Sequence, residues 1–103
     1  MNILENPKDI EKVLQKEFVM IIAKSHTCTA CRTILDMMKR SVPNLDQIEI
    51  YNIYVDDHDE FRGKHLIFSV PTVLIFSDGK ELLRESRYIN YDKITRLIDL
   101  YKN

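Results

Sequence analysis

Residues 18–42, FVMIIAKSHTCTACRTILDMMKRSV, read as a buried strand, a short loop holding two cysteines, and an amphipathic helix. Phe18 through Ala23 form an unbroken apolar run, too short to span a membrane and typical of a strand covered on both faces. Ser25, His26 and Thr27 make the turn. From Thr29 onward Ile34, Leu35, Met38 and Val42 recur at helical spacing, with Arg32, Asp36, Lys39 and Arg40 between them. The pattern predicts Cys28 at the start of a helix.

At a helix start, unsatisfied backbone N–H groups and the positive end of the dipole favour a thiolate over a thiol. Lowering a thiol pKa by one unit takes about 1.4 kcal/mol, which a helix terminus and a neighbouring cation can supply. Lys24, His26 and Arg32 are the cations at hand, and no carboxylate lies between Glu17 and Asp36 to oppose them. Cys31 follows one helical turn later, where Cβ atoms stand roughly 5–6 Å apart and a small adjustment permits a disulfide. The expected division of labour is Cys28 as the exposed nucleophile and Cys31 as the more buried resolving thiol, acting through a mixed disulfide. Two other readings stay open. A structural zinc site would have to recruit His26, His58 and His65, which are irregularly spaced. Alternatively, the cysteines are simply small buried hydrophobes. The position between a buried strand and a helix favours redox chemistry.

The chain has 103 residues, enough for one core, with 45% hydrophobic and 30% charged residues and a net charge of -1. No basic surplus suggests nucleic acid, and no Lys/Arg cluster suggests a membrane surface. The first seven residues lack a basic segment followed by an apolar one, so no export signal is read and a cytoplasmic location is expected. In a reducing compartment two cysteines would not last as a structural staple, which favours a catalytic or metal role. Neither repeats nor low-complexity segments are present, and no exposed apolar stripe calls for a dimer, so a monomer is expected.

Outward from the central stretch, Asn6-Pro7 signals a helix start, with Ile10, Val13 and Leu14 on one face behind it. Residues 48–55 predict a strand. Residues 56–64 predict one or two helical turns anchored by Phe61, with Asp56, Asp57 and Asp59 as a solvated helix start rather than a metal site, and His58 and His65 at the surface. Val70-Pro71 leads into an apolar strand, Thr72 to Phe76. Asp78-Gly79 marks a tight hairpin, and Glu81 to Arg87 returns as an edge strand protected by Arg84, Glu85 and Arg87. Asn90 caps a last helix with Ile94, Leu97, Ile98 and Tyr101 on one face. The expected class is α/β, a four-stranded mixed sheet flanked by helices on both faces.

Cys28-Thr29-Ala30-Cys31 behind a buried strand, Val70-Pro71-Thr72 before the next apolar strand and the Asp78-Gly79 hairpin together resemble a thioredoxin-family domain. The resemblance spans essentially the whole chain, as a single domain 1–103. It implies the thioredoxin-like fold and a thiol–disulfide oxidoreductase that exchanges or reduces protein or small-molecule disulfides, with a role in electron transport and cell redox homeostasis. It also implies that Pro71 is cis and that the Val70 backbone pairs with an extended segment around the target cysteine. Thr72, Thr27 and His26 complete the expected substrate site, His26 being either a thiolate stabiliser or a solvated loop residue. No cofactor or metal is expected. Partners would be a disulfide-containing protein or low-molecular-weight thiol, with a cellular reductase or thiol as electron donor.

The sequence departs from the family pattern at informative places. Thr27 stands where the family has Trp, and Thr29-Ala30 where it has Gly-Pro; the chain contains no Trp. Ile22 occupies the place of the buried Asp that assists the resolving thiol, Asn52 that of its accompanying Lys, and a late glycine is replaced near Arg87. Losing the buried base is expected to slow or retune activation of Cys31. A redox-poor interaction module on the same fold is the alternative.

Overall fold

The computed structural model describes residues 2–102; Met1 and Asn103, the ends of the expected 1–103 unit, lie outside the described residues. Strand β1, Val19–Lys24, is buried along its whole length. It is therefore central, with β2 (Glu49–Tyr54) parallel on one side and β3 (Thr72–Ser77) antiparallel on the other. Strand β4, Lys80–Ser86, pairs antiparallel with β3, giving the sheet order β2-β1-β3-β4.

Period-two alternation along β1 divides the core. Val19, Ile21 and Ala23 join Leu74, Phe76 and Ile53 beneath α1 (Pro7–Leu14) and α3 (Asp59–Lys64), which contribute Ile10, Val13, Leu14 and Phe61. Met20 and Ile22 face the other way, with Val73 and Ile75, toward α2 (Ile34–Ser41) and α4 (Tyr91–Lys102), which contribute Ile34, Met38, Ile94 and Ile98. Helices thus cover both faces of a four-stranded mixed sheet, as the sequence suggested.

Local signals act where expected. The Asn6 side chain accepts the Lys8 N–H at 2.9 Å with Pro7 as the first helical residue, and Asn90 accepts from Lys93 at 3.1 Å. Asp78 and Gly79 turn the hairpin with φ of 50° and 84°. The hairpin tip is also docked: Asp78 N–H donates to the Lys16 carbonyl at 2.8 Å and Gly79 N–H to the Leu14 carbonyl at 2.9 Å, supplying donors just past the end of α1. Arg84 does more than charge an edge strand. Its guanidinium reaches the His65 and Leu66 carbonyls at 2.5 and 2.9 Å and the Glu81 carboxylate, tying the segment after α3 to β4.

Besides one-residue shifts at the ends of β2 and β4, which leave Val55 in a 3-10 turn and Arg87 outside the strand, one boundary and two placements differ from the sequence reading. The helix expected from residue 29 begins instead with a 3-10 turn, Ala30–Arg32, and reaches α-helical form only at Ile34. The Thr33 hydroxyl donates back to the Ala30 carbonyl at 3.4 Å, the local side-chain bonding by which Thr competes with helix propagation. His58 and His65 are half-buried rather than surface residues; the His65 ring lies 4.7 Å from Phe61 and edge-on to Phe76 at 5.5 Å. Burial pushes its pKa below the ordinary histidine value.

An added Cβ at Gly79 would meet the Gln15 amide at 2.8 Å, a side-chain end able to swing aside, but the φ of 84° remains unfavourable for any L side chain. Gly79→Ala should destabilise by about 1–2 kcal/mol. The check is a urea midpoint that falls at unchanged slope.

Candidate active site

The sheet delivers the cysteine loop from the carboxyl end of β1. Beyond Lys24 the chain turns at Ser25–Thr27, with Cys28 N–H donating to the Ser25 carbonyl at 3.4 Å. Cys28 and Cys31 form a disulfide with Cα atoms 5.4 Å apart. Cys31 is only 3% exposed while Cys28 is half-buried, so Cys28 is the more accessible of the two sulfur-bearing residues. The backbone N–H of Cys31 points at Cys28 Sγ, 3.2 Å away. The 3-10 turn separates Cys28 from α2, so the donor at the sulfur is this N–H of the turn and not the first turn of an α-helix, which the sequence suggested. A hydrogen bond to the charged form favours the thiolate.

The sequence showed no acid to oppose the cations around Cys28, and the fold changes that. Asp56 and Asp57, in the turn that follows β2, arrive beside the loop because β1 and β2 run parallel and end together at Lys24 and Tyr54. Asp56 Oδ2 accepts the His26 backbone N–H at 3.1 Å, and Asp57 Oδ2 lies 2.8 Å from His26 Nε2. The His26 ring stacks on Tyr54 with centroids 4.1 Å apart. The bond to Asp57 raises the His26 pKa above its ordinary value, and the His26 N–H holds Asp56 below its own. This clasp fastens the loop to the end of β2. Its partners are separated by 30 and 31 positions, and no local pattern announces it.

Lys24, Ser25, His26, Cys28, Cys31, Arg32 and Tyr54 line a cavity of about 250 Å³. A larger one, about 550 Å³, lies between α1 and α3 and contains neither thiol. Val70 and Pro71 do not line the cysteine cavity but occupy the same end of the sheet, since Thr72 pairs with Ala23 and the β1 chain then runs on to the cysteines. The Val70-Pro71 bond is cis and Pro71 is buried. Thr72 is turned inward: its hydroxyl donates to the Ser69 carbonyl at 2.7 Å and lies 3.0 Å from Ser86 Oγ. Thr27 is exposed beside Cys28. Among the described residues no group of three or more His, Cys, Asp or Glu is placed to hold a metal ion. No helix among them is long and apolar enough to cross a membrane.

Two aromatic residues escaped the sequence reading. Phe68 and Tyr88 are 84% and 92% exposed; Phe68 lies four residues before Thr72 in the chain and Tyr88 two after Ser86, and Thr72 and Ser86 are a registered pair at this same sheet end. No periodicity distinguishes an exposed loop aromatic from a buried one. Arg87, between Ser86 and Tyr88, has φ of 62°, a conformation in which glycine is at ease. Ile22 and Asn52 are a registered pair in the buried sheet, 0% and 1% exposed, so no ionisable group occupies either position.

Comparison with known proteins agrees with this geometry. The family profile described as Thioredoxin matches residues 3–100. A thioredoxin-like protein of Bacillus subtilis, YdfQ, is 31% identical, covering 87% of this chain and 84% of its own length. The thioredoxin of Mycoplasma genitalium is 25% identical, covering 93% of this chain and 92% of its own. Among solved structures, Fasciola hepatica thioredoxin superposes with a TM-score of 0.77 at 25% identity, covering 98% of this chain and 99% of that one.

Removing the Asp57 charge should release His26. In Asp57→Asn the His26 midpoint, read by NMR titration, should fall back toward about 6.5. Because the folded-state pKa is raised, the clasp's stabilisation is fully present below the unfolded value and disappears as pH rises through the folded one. The stability gap between the two proteins should follow that course.

Proposed function

The chain belongs to the thioredoxin family and is a thiol–disulfide oxidoreductase, and from that premise we propose that Cys28 is its attacking thiol and Cys31 its resolving thiol. The observation that carries this assignment is the Cys31 N–H aimed at the half-buried Cys28 Sγ, a donor that favours the thiolate on the more accessible sulfur. The Cys28 thiolate attacks a target disulfide and forms a mixed disulfide, releasing one target thiolate. Cys31 then attacks Cys28 Sγ, closing the intramolecular disulfide and releasing the second target sulfur. A reductase or a thiol donor returns the pair to the dithiol.

Substrates on this reading are extended segments around a target cysteine, aligned on the Val70 backbone by strand addition beside Pro71. Thr27 and His26 border that groove. Phe68 and Tyr88 offer apolar contact in place of the absent indole ring, and such contacts select a restricted set of protein disulfides. We assign the reaction to the cytoplasm, whose reducing poise keeps the pair cycling and so contributes to redox homeostasis and electron transfer between thiols. The protein acts as a monomer.

A module that binds without turnover is the second reading, favoured by the uncharged pair Ile22 and Asn52 where a proton-handling group would assist Cys31. The two diverge in a simple experiment. Cys28→Ser should abolish reduction of a protein disulfide, and Cys31→Ser should accumulate a covalent adduct with it that dithiothreitol releases. Retained partner binding by the double Ser variant, with no turnover by the unaltered protein, would favour the module. Separately, Phe68→Ala and Tyr88→Ala should each raise KM for a protein disulfide by about two- to thirteenfold, the equivalent of the roughly 0.5–1.5 kcal/mol an aromatic contact supplies. Reduction of a small aromatic disulfide should be unchanged.

A further inference from the structure

Between α3 and β3 the chain crosses residues 65–71 without helix or strand, and this segment carries both Phe68 and Val70. Its carbonyls are held by side chains from three elements. Arg84 of β4 donates to those of His65 and Leu66 at 2.5 and 2.9 Å, Arg62 Nε of α3 to that of Ile67 at 3.2 Å, and the Thr72 hydroxyl of β3 to that of Ser69 at 2.7 Å. The two groups bound by Arg84 are the peptide carbonyls on either side of the Leu66 Cα. Leu66 has φ of 53° and ends α3, its N–H donating to the Gly63 carbonyl at 3.4 Å and the Ile67 N–H to the Arg62 carbonyl at 3.0 Å. Glycine is usual at such a helix end. A leucine there is strained and persists where its surroundings fix the backbone.

An irregularity in β4 sets the reach of Arg84. Leu74 pairs with Arg84, Ile75 with Leu83 and Phe76 with Glu81, so Leu82 is an extra residue. In a regular strand, positions three apart point to opposite faces; the extra residue brings Glu81 round to the face of Arg84, the one shared by Leu74, Phe76 and the α3 residue Phe61. Glu81 grips the guanidinium with both oxygens, at 3.0 Å from Nε and 2.7 Å from Nη2. All three guanidinium nitrogens are thus engaged, a planar fork that a lysine ammonium cannot reproduce.

We propose that Arg84 is a positioning residue for the substrate groove: by fixing the peptide groups about Leu66, it sets the course of the chain through Phe68 to Val70. The inference rests on the reading that the Val70 backbone aligns the target segment. The bonds to Ile67 and Ser69 carry the same restraint past the helix end, up to the residue before Val70. A groove held in this way needs less ordering when the target binds.

In Arg84→Met the 15N order parameters of Phe68, Ser69 and Val70 should fall from about 0.85 toward about 0.6, while those of β1 stay unchanged. KM for a protein disulfide should rise about tenfold, the equivalent of fixing roughly one residue's backbone anew on binding, with kcat unchanged. Arg84→Lys should recover only a small part of the loss. Glu81→Gln, which leaves the fork in place but loosens its grip, should raise KM by a smaller factor. Order parameters that do not move, full recovery by Arg84→Lys, or an unchanged KM despite a loosened segment would each overturn the proposal. Phe68→Ala separates the two claims in that last case: if it raises KM, the groove reading stands and Arg84 merely ends a helix, and if it too is silent, the groove reading has failed.

Discussion

Burial of β1 from end to end is the constraint on which the rest depends. A strand with no exposed residue must pair on both edges and be covered on both faces, and the alternation of Val19, Ile21 and Ala23 against Met20 and Ile22 fills two separate cores. Each fully buried Ile or Met is worth about 2–5 kcal/mol against truncation to alanine, so the end of β1 is a firm platform. The cysteine loop leaves from that end. The turn after β2 and the Val70-Pro71 approach to β3 arrive there too, because β2 runs parallel to β1 and β3 antiparallel. Site and sheet are thus set by one packing problem.

Much of this was legible in the sequence because it is written in short-range patterns. The apolar run at 18–23, the Asn6-Pro7 and Asn90 caps and the Asp78-Gly79 turn each act within a few residues, and each forms the structure its local chemistry favours. The cysteine pair was legible for the same reason. What escaped notice is produced by tertiary placement: the His26 clasp to Asp56 and Asp57, Arg84 reaching the His65 and Leu66 carbonyls, and the exposure of Phe68 and Tyr88. The 3-10 turn between Cys28 and Ile34 is a smaller case, in which hydroxyl bonding at Thr33 competes with the helical periodicity of its neighbours.

The electrostatics of the site follow from where charge is excluded. Ile22 belongs to the apolar cluster of Met20, Val73 and Ile75, so no proton acceptor stands at that position. Charge returns at the rim, in two layers. The outer layer, His26 with Asp57, is exposed and holds the loop; the inner, Lys24, is buried and borders the sulfurs. A thiolate on Cys28 is favoured by the backbone N–H of Cys31.

The central claim is that Cys28 and Cys31 interconvert as one two-electron couple. It is tested most directly by equilibrating the protein against a graded dithiol–disulfide buffer and counting alkylated thiols by mass. The account predicts a single reversible transition in which both thiols disappear together, with a tenfold change in ratio per 29.6 mV or so. Thiols that persist across the whole range, or that react independently of each other, would contradict it.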